Sequence, residues 1–136
     1  MEYGIKKTNI YILNQSKWYD LGLVKVKLEP LIHDTPNYAL LLEHRAKKCL
    51  YVVDTASVEN IEAKNYDLYL IESNYKEDIL KKHLQECEDE DRIYLERVPH
   101  THLSYENAND FLLNNMGINS EYCYIHQSNY NFKEEK

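Results

Sequence analysis

No stretch of the chain approaches the roughly 18 apolar residues that a membrane-crossing helix needs. No basic-then-apolar opening marks a signal peptide either, so a cytoplasmic protein is expected. Glycine and proline are scarce, three of each, which argues against a disordered or fibrous chain. Cysteine is scarce as well: Cys49, Cys87 and Cys123 are odd in number, widely spaced, and form no Cys-x-x-Cys pair. Reduced structural thiols are expected rather than a disulfide or a paired metal motif. Positive charge is in deficit, with 16 Lys and Arg against 23 Asp and Glu and a net charge of −7. Phosphate backbones are held mainly by Lys and Arg, so this balance weighs against direct nucleic-acid binding.

What remains is ordinary globular material. The 136 residues, 43% of them hydrophobic, suit one domain spanning 1–136, with a polar tail at 129–136. No repeat or linker divides it. Thirteen tyrosines fit either buried amphipathic packing or a tyrosine-rich interface. The acidic run at residues 86–91 reads as a solvated helix end and loop, with a partner-binding patch as the alternative. Further acidic residues lie in the tail at 133–136.

Apolar periodicity predicts strands over residues 9–13, 23–28, 38–43, 49–53, 67–72, 92–98 and 121–126. Residues 44–48 close a hairpin between two of them. Ile79, Leu80, His83 and Leu84 recur at helical spacing within 76–87. Ser104 is a good N-cap for a helix carrying Ala108, Phe111, Leu112 and Met116, with Gly117 as a left-handed stop. The later half therefore reads β-β-β-α-β-α-β, an α/β arrangement.

Polar residues gather at the ends of these apolar runs. They are His33 and Asp34 between Pro30 and Pro36, Asp54-Thr55 after Leu50-Tyr-Val-Val, and Glu72 after Leu70-Ile. His100-Thr-His102-Leu-Ser104 and Tyr124-Ile-His126 follow. Each has a plain structural reading. His33-Asp34 reads as an Asx-type turn, Asp54-Thr55 as a cap on the next turn, Glu72 as a solvated loop carboxylate, and His102 as a helix-start side chain. His44 and His83 read as surface residues.

Taken in this order, the five motifs resemble the C-terminal half of the metallo-β-lactamase superfamily, nearest its phosphodiesterase and nuclease branch and similar to ribonuclease Z. The resemblance covers about residues 23–128 and implies a partial fold, a mostly antiparallel or mixed sheet with helices on one face. It implies metal ligation by His33, Asp54 and His126, with zinc or manganese as the ion. His102 would be the general acid and Glu72 the carboxylate that orients it. The His-x-His-x-Asp-His loop that opens that family is missing. The single His-x-His here, His100-Thr-His102, is followed by Ser104 and Tyr105 where Asp and His belong, and it comes after His33 and Asp54.

Two functional readings follow. One is a truncated metal-dependent hydrolase domain, ancestrally a phosphodiesterase, completed by another chain or an upstream segment. The other is a non-catalytic acidic phage or bacterial inhibitor or adaptor, using the half-fold as a scaffold against a basic protein partner. In either, half of a sheet-on-sheet fold leaves an apolar face to cover, which predicts a homodimer or a protein partner.

Overall fold

The computed structural model describes residues 11–129, apart from the side chains of residues 89 and 90. The chain runs through β1 (Trp18–Asp20), β2 (Lys25–Pro30), β3 (Tyr38–His44), β4 (Lys47–Val52) and β5 (Leu68–Glu72). It continues through α1 (Glu77–Glu86), α2 (Asp89–Thr101), α3 (Tyr105–Asn115) and β6 (Glu121–Ile125). The strands form one sheet in sequence order. β1 to β4 pair antiparallel, whereas β4–β5 and β5–β6 pair parallel. The result is a mixed sheet in an α/β fold.

The antiparallel part is stitched by tight turns. Gly22, at φ +90, lets the chain reverse between β1 and β2, helped by its N–H donating to Asp20 Oδ1. Two residues, Arg45 and Ala46, join β3 to β4, with Arg45 at φ +54. A hairpin loop this short requires a positive φ somewhere in it. The edge strand corrects one expectation. Of residues 9–13, the first two lie outside the described residues, while Tyr11 and Ile12 are not in a strand and are 78% and 88% exposed. The edge position belongs to Trp18–Asp20, which the Gly22 turn folds back onto β2.

Alternation in the strands separates two faces of the sheet. Ala39, Leu41, Leu50, Val52, Tyr69 and Ile71 point to the face that α3 covers with Ala108, Phe111 and Leu112. Ser104 caps α3, accepting from the Asn107 N–H. Truncating Phe111 or Leu112 to Ala would cost about 2–5 kcal/mol. Several of the tyrosines serve this core. The Tyr69 hydroxyl donates to the Ala63 carbonyl at 2.6 Å and accepts from the Tyr66 N–H at 3.0 Å. The opposite face carries Leu28, Leu40, Leu42, Leu68 and Leu70, all partly exposed.

Residues 92–98 are not a strand but the middle of α2. Ile93 and Leu95 are spaced as in a strand, and Leu95 and Val98 as in a helix. The fold buries Leu95 and Val98, three apart, and leaves Ile93 76% exposed. Those two residues form a small second core with Tyr75 and Leu80. The acidic run at 86–91 spans the end of α1 and the start of α2, with Glu88 as the N-cap. The later half is therefore β-β-β-α-α-α-β. His83 is buried on the inner side of α1 with Ile79 and Leu80, against its reading as a surface histidine. Gly117 is not left-handed. A Cβ there would come within 2.8 Å of Asn65 Oδ1, the end of a side chain that can turn aside.

Candidate functional site

Because β4, β5 and β6 run parallel, their carboxyl ends share one edge of the sheet. The register pairs Val52 with Ile71 and Glu72 with Ile125. Asp54 lies two residues beyond Val52, and His126 one residue beyond Ile125. Strand pairing alone thus brings Asp54, Glu72 and His126 to the same place. The fourth member, His102, is the C-cap of α2, two residues before the cap of α3. One ligand-capable atom from each of Asp54, Glu72, His102 and His126 falls within 4.8 Å of the others.

Glu72 is the hub. It is fully buried, against the solvated-loop reading of its sequence position. Its Oε2 accepts the Thr55 N–H at 2.9 Å and the Leu103 N–H at 3.4 Å. Its Oε1 lies 2.7 Å from His102 Nδ1 and 2.8 Å from His126 Nδ1. A buried carboxylate is tolerated only with such partners. The two rings are 5.2 Å apart at 64°. Asp54 Oδ1 is 2.9 Å from His126 Nδ1 and 3.7 Å from His102 Nδ1. The hydrogen bond to Glu72 raises the His102 pKa above the ordinary imidazole value, against the opposing effect of burial.

Two of the four residues are backbone outliers. Asp54 has φ +56 and His126 φ +55, a region that costs a non-glycine residue roughly 1–2 kcal/mol. Each is held by an asparagine amide that sequence reasoning did not single out. Asn37 Nδ2 donates to the Asp54 carbonyl at 2.9 Å and to the Val53 carbonyl at 2.7 Å. Asn74 Nδ2 donates to the His126 carbonyl at 2.9 Å. The fully buried Thr55 ties the neighbouring loops together: its Oγ1 accepts from the Ile32 and Ser57 N–H groups and donates to the Ser57 carbonyl. The capping role read for Asp54-Thr55 thus belongs to Thr55, while Asp54 faces the histidines. The one signal for Asn37 and Asn74 in the sequence is their position beside the strand-end motifs.

His33 stands next to the group and not in it. Its ring centre is 6.2 Å from that of His102. Its Nδ1 is engaged locally, 2.9 Å from both Thr35 Oγ1 and Asp34 Oδ1. His44 is exposed and remote from this edge, its Nδ1 bonded to the Leu23 carbonyl.

Two carboxylates and two imidazoles suit a borderline divalent ion such as zinc. The two rings turned onto Glu72 also resemble the arrangement in which a carboxylate orients metal-binding histidines. The donor set therefore fits a metal.

Solved structures place the fold. The chain superposes on a metallo-β-lactamase fold protein, YhfI from Bacillus subtilis, with a TM-score of 0.61 and 15% identity, covering 86% of this chain and 42% of that one. Human tRNase Z, short form, gives 0.57 and 16% over 84% and 39%. The Zn(2+)-bound PqqB from Methylobacterium extorquens gives 0.58 and 14% over 87% and 40%. Neither a protein-family model nor a curated protein sequence matches the chain. The chain has part of a metallo-β-lactamase fold, spanning about two fifths of the length of these neighbours. Among the described residues no helix is long and apolar enough to cross a membrane.

Proposed function

We propose that this chain is a truncated metallo-β-lactamase-like hydrolase domain, ancestrally a metal-dependent phosphodiesterase. The carrying observation is the convergence of Asp54, Glu72, His102 and His126 at the carboxyl edge of parallel strands. Asp54 and His126 would hold a zinc or manganese ion, with His33 approaching from the adjoining loop. The ion would supply an acidified water for attack on phosphorus. Glu72 engages both rings through their Nδ1 atoms. With its pKa raised, His102 is suited to hold a proton and deliver it to a leaving oxygen.

The apolar outer face of the sheet supports one assembly. A second copy packing against Leu28, Leu40 and Leu70 would bury that face. A cytoplasmic homodimer is our reading. Light scattering at micromolar concentration decides it: twice the 16.3 kDa chain mass is expected, and a clean monomer would rule it out.

The chemistry is tested with bis(p-nitrophenyl) phosphate and added Zn²⁺ or Mn²⁺. Turnover should require the metal and fall by roughly two orders of magnitude or more in Asp54→Ala and His102→Ala. Turnover that survives Asp54→Ala would refute the reading.

A further inference from the structure

The candidate centre is crowded with negative charge. Asp54 and Glu72 lie within it, and Asp34 stands at its rim beside His33. A phosphodiester brings another negative charge, which such a mouth repels unless a cation meets it. Arg97 is placed for that task. It projects from α2, five residues before His102, and its Nη2 pairs with Asp34 Oδ2. Asp34 in turn adjoins the His33 ring, which faces that of His102. The ion pair therefore links the 31–37 loop, which carries His33, to α2, which ends beside His102.

Both partners of this pair are well exposed, at 59% and 44% of their side chains. Exposed ion pairs contribute little and exchange readily. The guanidinium fork can take two oxygens of a phosphate at once, and Asp34 engages it through one carboxylate oxygen. Asp34 is thus a resident carboxylate that a phosphate could displace.

We infer that Arg97 is the anion-binding residue of this centre, taking the non-bridging oxygens of a phosphodiester and parked on Asp34 when no ligand is bound. The inference rests on the phosphodiesterase reading of the same site and adds the residue that receives the substrate's charge.

The probe is inorganic phosphate, titrated calorimetrically into the full zinc-loaded chain and into Arg97→Gln, Asp34→Asn and the double variant. Both side chains are exposed, so the variants should fold, which circular dichroism checks. Arg97→Gln should weaken phosphate about tenfold, as expected for a charged hydrogen bond. Asp34→Asn should tighten it, and that gain should vanish in the double variant because it passes through Arg97. Equal affinities for wild type and Arg97→Gln overturn the inference. So does an Asp34→Asn gain that persists without Arg97, which would be a bare field effect, and so does absence of phosphate binding. Repeating the titrations without zinc separates the two ideas. A chain that never binds zinc but keeps the four-variant pattern loses the phosphodiesterase reading and retains the Arg97 subsite. A chain that binds zinc and lacks the pattern does the reverse.

Discussion

One strand, β5, carries a carboxylate at each end, and the two are used differently. Asp67, just before the strand, accepts from the Lys48 N–H at 2.9 Å and from Lys47 Nζ at 2.5 Å. Its side chain is 31% exposed. Glu72, at the strand's last position, also accepts from backbone N–H groups, but it is fully buried and its other partners are histidines. The backbone contacts are alike, while burial and the nature of the cationic partner differ. Lysine keeps its charge across ordinary pH and serves only as a counter-ion. Imidazole exchanges protons near neutrality and can ligate a metal. The same strand therefore ends in a surface tether at one edge and a candidate reactive centre at the other.

The sharpest way to break this contrast is to remove both side chains. Glu72→Ala strands two buried backbone N–H groups and removes the shared partner of two imidazoles, and should cost about 3 kcal/mol or more, read as a lowered denaturant midpoint. Asp67→Ala should move that midpoint far less. An equal effect at both ends would mean that burial does not set the difference.

Metal binding sharpens it next. Protein purified without chelator should carry less than one tightly held zinc per chain, because an open site loses its ion. In equilibrium dialysis added zinc should bind wild type and fail to bind Asp54→Asn, while Asp67→Asn should bind it as wild type does. Two zincs per chain on elemental analysis would contradict the single-ion site.

A smaller effect concerns the residues that hold the strained backbone. Asn37→Ala removes the amide that supports Asp54 and should destabilise by about 1–2 kcal/mol. Zinc affinity should fall with it, since Asp54 loses its fixed aim. Unchanged affinity would show that Asn37 is structural only.

The smallest effect is acidic. Lys47 holds the Asp67 carboxyl below its ordinary value of 3.8. A lowered carboxylate pKa stabilises above the unfolded value, and that stability is lost as pH falls through the folded one. The slight loss of stability in Asp67→Asn at pH 7 should therefore shrink and vanish as pH falls below the ordinary carboxyl value. A gap that persists in acid would point to the Lys48 N–H contact instead of the charge.

Much of the architecture was legible because it is local. The β3–β4 pair follows from two apolar runs around a short polar turn, and α3 from Ser104 and its spaced apolar face. Of the four residues that converge, Asp54, Glu72 and His126 stand at the ends of apolar strands, which parallel pairing gathers at one edge, whereas His102 arrives from the end of a helix that its sequence presents as a strand. Residues 92–98 were ambiguous because Ile93 and Leu95 are spaced as in a strand and Leu95 and Val98 as in a helix, and only packing against Leu80 and Tyr75 selects the helix. Burial of His83 was signalled by its helical spacing with Ile79, Leu80 and Leu84, against its reading as a surface histidine.

By itself, then, the sequence determined which segments alternate, where Ser104 starts a helix, and which acidic and imidazole groups follow the apolar runs, because those depend on near neighbours and backbone periodicity. Tertiary structure decided the rest. It buried Glu72 completely and gave it two histidines, set His33 beside the cluster, and laid Arg97 across to Asp34 over 63 residues of chain. Such contacts join distant segments, and their geometry comes from strand register and helix packing rather than from any local preference.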